Sequence, residues 1–214
     1  QKNALLKRIK NGEAKRNDLE VWNELIAVEG SKITKIRAQL LNGINQKIED
    51  LYNSIAKEKQ KISFNYRSNL GLDLEEIMEH KNLTDFFRMR LEERKETEII
   101  VEYSLIGPQR DDFSIEIKDV NVNLHASRGE IRTMMLALKF LEMDLQRAGS
   151  DETPLLLLDD VLSELDHQRQ LMLLQKVKDF QTIITTTKDS ATINQEKLIP
   201  GDFWEVHNGM VFHI

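Results

Sequence analysis

Cysteine is absent from this 214-residue chain, which excludes a disulfide framework and a thiolate metal site and fits a reducing compartment. Residues 1–60 hold no proline, so nothing there forbids a long uninterrupted helix. Aromatic residues make up only 6%, too few for a stacking platform on single strands. No apolar run nears the roughly 18 residues that span a bilayer. No signal-peptide pattern opens the chain, and its start at Gln1 rather than Met leads us to expect a longer chain upstream. The most informative lack is a phosphate loop. Such a loop needs Gly followed by Lys and Ser or Thr, and none of the nine glycines precedes a lysine. The chain alone is therefore not expected to hold a nucleoside triphosphate tightly.

What is present is a mixed, highly charged composition: 40% hydrophobic and 31% charged residues, which suits a soluble core with long solvated helical surface. Charge is unevenly placed. Residues 1–100 carry 19 basic and 17 acidic residues, whereas 101–214 carry 11 and 19. The acidic second half cannot hold phosphates by bulk charge and would need specific groups or Mg²⁺. The first half reads either as a solvated helical face or as a weak nucleic-acid footprint.

Apolar residues at Trp22, Leu25, Ile26, Ile33, Ile36, Leu40, Ile44, Ile48, Leu51 and Ile55 step by helical intervals. A continuous helix from Asp18 to Lys57 would be about 60 Å long, either a protruding arm or a bundle helix. A strand is expected at Ile62–Tyr66, and helical spacing returns from Asp73 to Arg94. Strands are expected at Phe113–Ile117 and Val120–Leu124, joined tightly at Lys118-Asp119. A strongly patterned helix spans Gly129–Gln146, followed by a polar loop from Ala148 to Thr153. Four leucines, Leu155 to Leu158, suggest a strand buried on both faces and hence a parallel sheet. A helix over Asp166–Asp179, a strand at Thr182–Thr185 and a closing hairpin over Phe203–Ile214 complete a strand–helix–strand unit.

The leucine strand ends in Asp159-Asp160, where acids in open α/β sheets meet ligands. In phosphate-loop NTPases an acid there supports Mg²⁺ and the next can orient or deprotonate the attacking water. The same pair fits a plain cap of a helix starting near Val161. Ser163-Glu164-Leu165-Asp166 follows directly. Upstream, Ser127-Arg128-Gly129-Glu130 stands at a strand-to-helix turn, where backbone N–H groups favour phosphate. Ser127 with Glu130 also satisfies the pattern of a simple capping box.

Together these residues resemble ATP-binding-cassette ATPases, and among them the RecF family of DNA-repair proteins. The serine–glycine turn, the strand ending in acids, the Ser-Glu-Leu-Asp loop and the strand into Thr185-Thr186-Thr187 come in that family's order. Gly107-Pro108-Gln109-Arg110-Asp111-Asp112 is similar to the family's Gly-Pro-His-Arg-Asp-Asp, with Gln109 in place of histidine. Leu156 to Asp166 is the most specific stretch. The resemblance implies an α/β fold: residues 99–214 as the C-terminal lobe of an ABC-type ATPase head, a mostly parallel sheet with flanking helices, and residues 1–98 as a helical, coiled-coil-like arm. It implies that Ser127, Arg128, Gly129 and Glu130 form a signature contacting ATP held by a second subunit, although a glutamine is usual at position 130. Asp159 would support Mg²⁺, Asp160 would be the catalytic base, Ser163 and Asp166 would form the D-loop, and Thr187 would take the switch position, with Arg110 in possible support.

The function so implied is that of a cytoplasmic ATPase of DNA replication, recombinational repair and the SOS response. It would dimerise with ATP on gapped DNA and work with mediator proteins that help load RecA, the phosphate loop lying before Gln1. Three other readings remain open: an SMC-like chromosome-organising head, a non-catalytic dimerisation scaffold with a degenerate site, and a toxin-linked or anti-phage cassette ATPase.

Overall fold

The structure, a computed structural model, describes residues 1–149, 155–187 and 201–213. Its Cα positions group into two compact units, residues 1–49 with 60–126, and residues 50–59 with 127–214. This partition cuts the chain near 126, whereas the sequence-based division falls after 98.

In the first unit α1 (Lys2–Lys10) and the 38-residue α2 (Leu19–Ala56) precede strand β1 (Ile62–Arg67). The long helix thus forms almost where periodicity puts it, and it stops where Lys57 turns left-handed. One face of α2 buries Leu19, Ala27, Ala38, Leu41 and Ile48, while Val21, Leu25, Ile36 and Leu40 stay exposed. Gly30 sits mid-helix because space is short: a methyl there would lie 3.2 Å from both the Phe87 ring and the Pro108 ring. Leu6, Ile9, Leu19 and Ile99 form a small core.

The stretch expected as one helix from Asp73 to Arg94 is two, α3 (Leu74–Glu79) and α4 (Leu83–Val101). His80 is extended, and the Asn82 side chain accepts the Asp85 N–H to begin a fresh helix. The α4 helix then absorbs the β-branched run at Ile99–Val101 and ends on Glu102, whose φ is 65°. Strands β2 (Asp112–Ile117) and β3 (Val120–Asn121) complete an antiparallel sheet of order β1-β2-β3. Lys118 and Asp119 both have positive φ, as a two-residue hairpin turn with native twist requires. The strand expected through Leu124 ends early: Asn121 Oδ1 accepts the Asn123 N–H and starts a one-turn helix, α5 (Val122–His125).

Two carboxylates organise the loop after α4. Glu98, fully buried, takes the Lys2 ammonium at 2.6 Å on Oε2, and its Oε1 accepts from Ser104 Oγ (3.1 Å), Leu105 N (2.7 Å) and Ile106 N (3.3 Å). Burial pulls the Lys2 ammonium below its ordinary pKa, and Glu98 opposes that shift. Asp111 accepts from Tyr66 Oη (2.6 Å), Asn69 N (2.9 Å), Asn69 Nδ2 (2.8 Å) and Thr34 Oγ1 (3.4 Å). Burial, helped by Asp111, pushes Tyr66 up to about 12.

The second unit holds the last turns of α2, α6 (Arg128–Gly149), β4 (Leu155–Asp159), α7 (His167–Lys176), β5 (Gln181–Thr185), β6 (Trp204–His207) and β7 (Met210–His213). From residue 150 the expected polar loop, with Pro154, lies outside the described residues. Strands β4 and β5 pair in parallel, Leu155 opposite Gln181 through Asp159 opposite Thr185. The β6–β7 hairpin turns at Asn208-Gly209, both at positive φ. Against expectation, β4 is not buried on both faces among the described residues: Leu156 and Leu158 are buried, whereas Leu155 and Leu157 are 49% and 64% exposed. A strand covered on one side alternates in this way.

Replacing Asp111 with alanine would leave the Tyr66 hydroxyl and the Asn69 amide without their acceptor. We expect a loss of about 1–3 kcal/mol in urea unfolding, with Asp111→Asn losing less. Equal stability of both variants and the parent would refute this account.

Candidate functional site

The parallel ladder carries Asp159 to the carboxyl end of β4 directly opposite Thr185. Thr185 Oγ1 donates a short hydrogen bond to Asp159 Oδ1. The Asp160 N–H is shared between Thr185 O and Thr185 Oγ1, each at 3.1 Å. One threonine thus holds the side chain of the first acid and the main chain of the second.

Asp160 has φ 46° and ψ 23°, a left-handed conformation that aspartate tolerates better than most residues. A 3₁₀ turn, Val161–Glu164, follows where the helix-cap reading would need an α-helix to start, and the Asp160 side chain makes no capping bond to it. Toward that turn it is the main-chain oxygen that is engaged, by Ser163 Oγ (2.8 Å) and Ser163 N (3.3 Å). The helix-cap reading therefore fails for Asp160: the backbone is pinned and the carboxylate is left exposed at the strand end.

At the other turn the capping box is real. Ser127 Oγ accepts the Glu130 N–H (3.2 Å), and Glu130 Oε2 accepts the Ser127 N–H (2.8 Å). Thr133 Oγ1 donates to Gly129 O at 2.9 Å. Arg128 stands exposed on the first turn of α6. Asp166 caps α7, its Oδ1 accepting the Arg169 N–H at 2.9 Å and its Oδ2 meeting Arg169 Nη1. That backbone bond, then the guanidinium, holds the Asp166 carboxyl below its usual range. Arg169 reaches the Ser127–Glu130 turn as well: a methyl on Gly129 would lie 3.8 Å from its Nη1.

The expected site residues thus fall into two groups, Asp159, Asp160 and Ser163 in one, and Ser127, Gly129, Glu130 and Asp166 in the other. Thr187 is exposed two residues beyond β5. Arg110 belongs to the first unit, where its Nε donates to Ser104 O at 3.0 Å and its guanidinium lies 4.9 Å from the centre of the Tyr103 ring. Thr185 and Arg169 were missed by sequence reasoning. Strand pairing points to the first, and the spacing of an N-cap Asp166 to a residue three positions on points to the second.

No group of three or more potential His, Asp or Glu ligands gathers among the described residues. This donor set does not make an all-protein cage. It fits Mg²⁺, which is commonly held by one or two carboxylates together with substrate phosphates and water.

The chain is 39% identical over 197 residues to the DNA replication and repair protein RecF of Limosilactobacillus fermentum, covering 91% of this chain and 52% of that protein. It is 35% identical over 211 residues to RecF of Clostridium tetani, covering 98% and 55%. The corresponding protein of Ruminiclostridium cellulolyticum is 32% identical over 209 residues, covering 94% and 56%. Over nearly its whole length the chain is similar to RecF proteins. It spans about half the length of these RecF relatives. Two solved structures of the recombination mediator protein RecF in the RecFOR pathway, one with ATP and one with ATPrS, match the whole chain with a TM-score of 0.80. Their identities are 29% and 28%, and the chain covers 54% and 55% of them. This likeness fixes the fold as the α/β architecture of a RecF ATPase head. No family profile matches the chain. No helix among the described residues is long and apolar enough to cross a membrane.

Because the Asp166 carboxyl is held below its ordinary pKa of 3.8, its stabilisation is fully present above that value and is lost as pH falls from there through the lowered folded value. The melting-temperature gap between wild type and Asp166→Ala should therefore be full at neutral pH and close below about pH 4. A gap independent of pH would contradict the ionised cap.

Proposed function

We propose that this chain supplies the acid and signature sides of the ATP sites in a RecF-type DNA-repair ATPase. The observation that carries this reading is Asp160, whose main chain is fixed by Thr185 and Ser163 while its carboxylate takes no part in helix capping. A strained, well-anchored acid at the end of a parallel strand suits chemistry better than packing. The names of the relatives and the nucleotides in the matching solved structures support the same assignment.

In this reading Asp159 supports Mg²⁺, directly or through water, and Mg²⁺ when bound neutralises phosphate charge. Asp160 orients or deprotonates the water that attacks the terminal phosphate. Ser127 and Gly129 receive that phosphate from ATP held on the phosphate loop of a second copy, and Ser163 and Asp166 line the approach. Arg128 and Glu130 flank the signature turn, and Thr187 occupies the switch position beyond β5. ATP binding then draws two heads together on gapped DNA, in concert with mediator proteins that help load RecA, and hydrolysis releases them. The whole process is placed in the cytoplasm.

In the full-length protein, Asp160→Asn should retain ATP binding and lose turnover by roughly 100-fold or more, the scale of a general base. Unchanged turnover would overturn the assignment. Thr185→Val should slow turnover by roughly fivefold to tenfold, the scale of one neutral hydrogen bond, and Thr185→Ser should restore it. Steady-state kinetics with saturating Mg²⁺ reads both outcomes.

A further inference from the structure

A negative charge at a phosphate-receiving turn needs an explanation, and Glu130 is such a charge. Its carboxylate is tied to the Ser127 N–H, so it stays on the turn itself. Asp166 adds a second negative charge nearby through Arg169. The guanidinium of Arg169 joins Asp166 to the Gly129 turn. Its Nη1 meets Asp166 Oδ2 and lies 3.8 Å from where a Gly129 side chain would begin. The side chain is only 24% exposed, and its Nε is buried without a hydrogen-bond partner among the described residues.

Helix α2 ends beside this group. Ile55, Ala56 and Glu58 line a recess of about 370 Å³ together with Asp166 and Arg169. Tyr52, one turn earlier on α2, is fully buried. Its hydroxyl is pushed up to about 12, first by burial, then by the Glu130 carboxylate, with the Arg169 guanidinium opposing. Glu130 and Arg169 thus act with opposite sign on one buried group.

We propose that Arg169 is a positioning residue that neutralises Glu130 and Asp166, so that the signature turn can receive the terminal phosphate of a nucleoside triphosphate carried by a second copy of the protein. The inference rests on the ATP-in-trans reading above. Without Arg169, an incoming phosphate meets the Glu130 and Asp166 carboxylates with one oriented cation fewer to offset them. With it, the turn carries a cation that is already oriented by Asp166 and sheltered from water, which strengthens its effect on an anion. Arginine suits the task because its charge persists at every physiological pH and its planar fork can face two partners at once.

The test uses the full-length protein with Mg²⁺ and a slowly hydrolysed ATP analogue, with self-association read by light scattering. Arg169→Gln should weaken association roughly tenfold or more, the scale of one charge-assisted hydrogen bond, and Arg169→Lys should recover part of it. Adding Glu130→Gln to Arg169→Gln should recover much of the lost association, because one of the two charges that Arg169 offsets is then gone, a coupling that a double-mutant cycle measures. A merely structural role for Arg169 would show no such relief. Unchanged association of Arg169→Gln, or a loss that Glu130→Gln does not relieve, overturns the proposal while leaving the ATP-in-trans reading standing. A wild-type protein that does not associate with the nucleotide overturns both.

Discussion

The parallel pairing of β4 with β5 is the constraint on which the acid site depends. Register alone sets Thr185 opposite Asp159, and a slip of one residue would put a threonine on the wrong face. From that pairing follow the grip on Asp159, the double anchorage of the Asp160 amide and the left-handed backbone that turns the second acid out of the strand. The strain at Asp160 costs on the order of 1–2 kcal/mol and persists because four hydrogen bonds of its main chain, with Thr185 and Ser163, hold that conformation.

Polar residues of this chain rarely do one thing. Asp111, part of the Gly-Pro-Gln-Arg-Asp-Asp stretch, gathers four donors from α2, β1 and the loop after it, and so fixes where that stretch sits. Ser127 and Glu130 close a capping box on the turn proposed to receive phosphate. Asp166 caps α7 and steers a guanidinium with its other oxygen. For the serine and for Asp166 the local capping role uses the same atoms that the proposed function would need. At Asp160 they diverge, which is why that residue is the more decisive marker.

What could be read from the sequence was local. The length of α2, the turn at Lys118-Asp119, the closing hairpin and the acids at the end of β4 all follow from periodicity and from turn chemistry within a few residues. The break at Asn82 was hidden because its apolar spacing runs on through the cap. The choice among Thr185, Thr186 and Thr187 could not be made from three identical side chains, because it depends on which of them the ladder sets opposite Asp159. Arg169 was hidden for a related reason: nothing in its neighbourhood along the chain shows that it comes to rest beside Gly129, forty residues earlier. The leucine run misled in the other direction, since four apolar residues imply two covered faces while the described residues cover one.

The capping box at Ser127 has a consequence for how this position tolerates change. A hydroxyl that accepts a hydrogen bond still has its own proton to give, so helix initiation and anion recognition draw on different parts of one small group. Threonine preserves both capacities. Aspartate would cap the helix well yet repel a phosphate, and alanine would lose both at once. Under the proposed function the freedom of this residue is therefore narrower than its exposure suggests, because helix capping and phosphate binding would fall on a single oxygen atom.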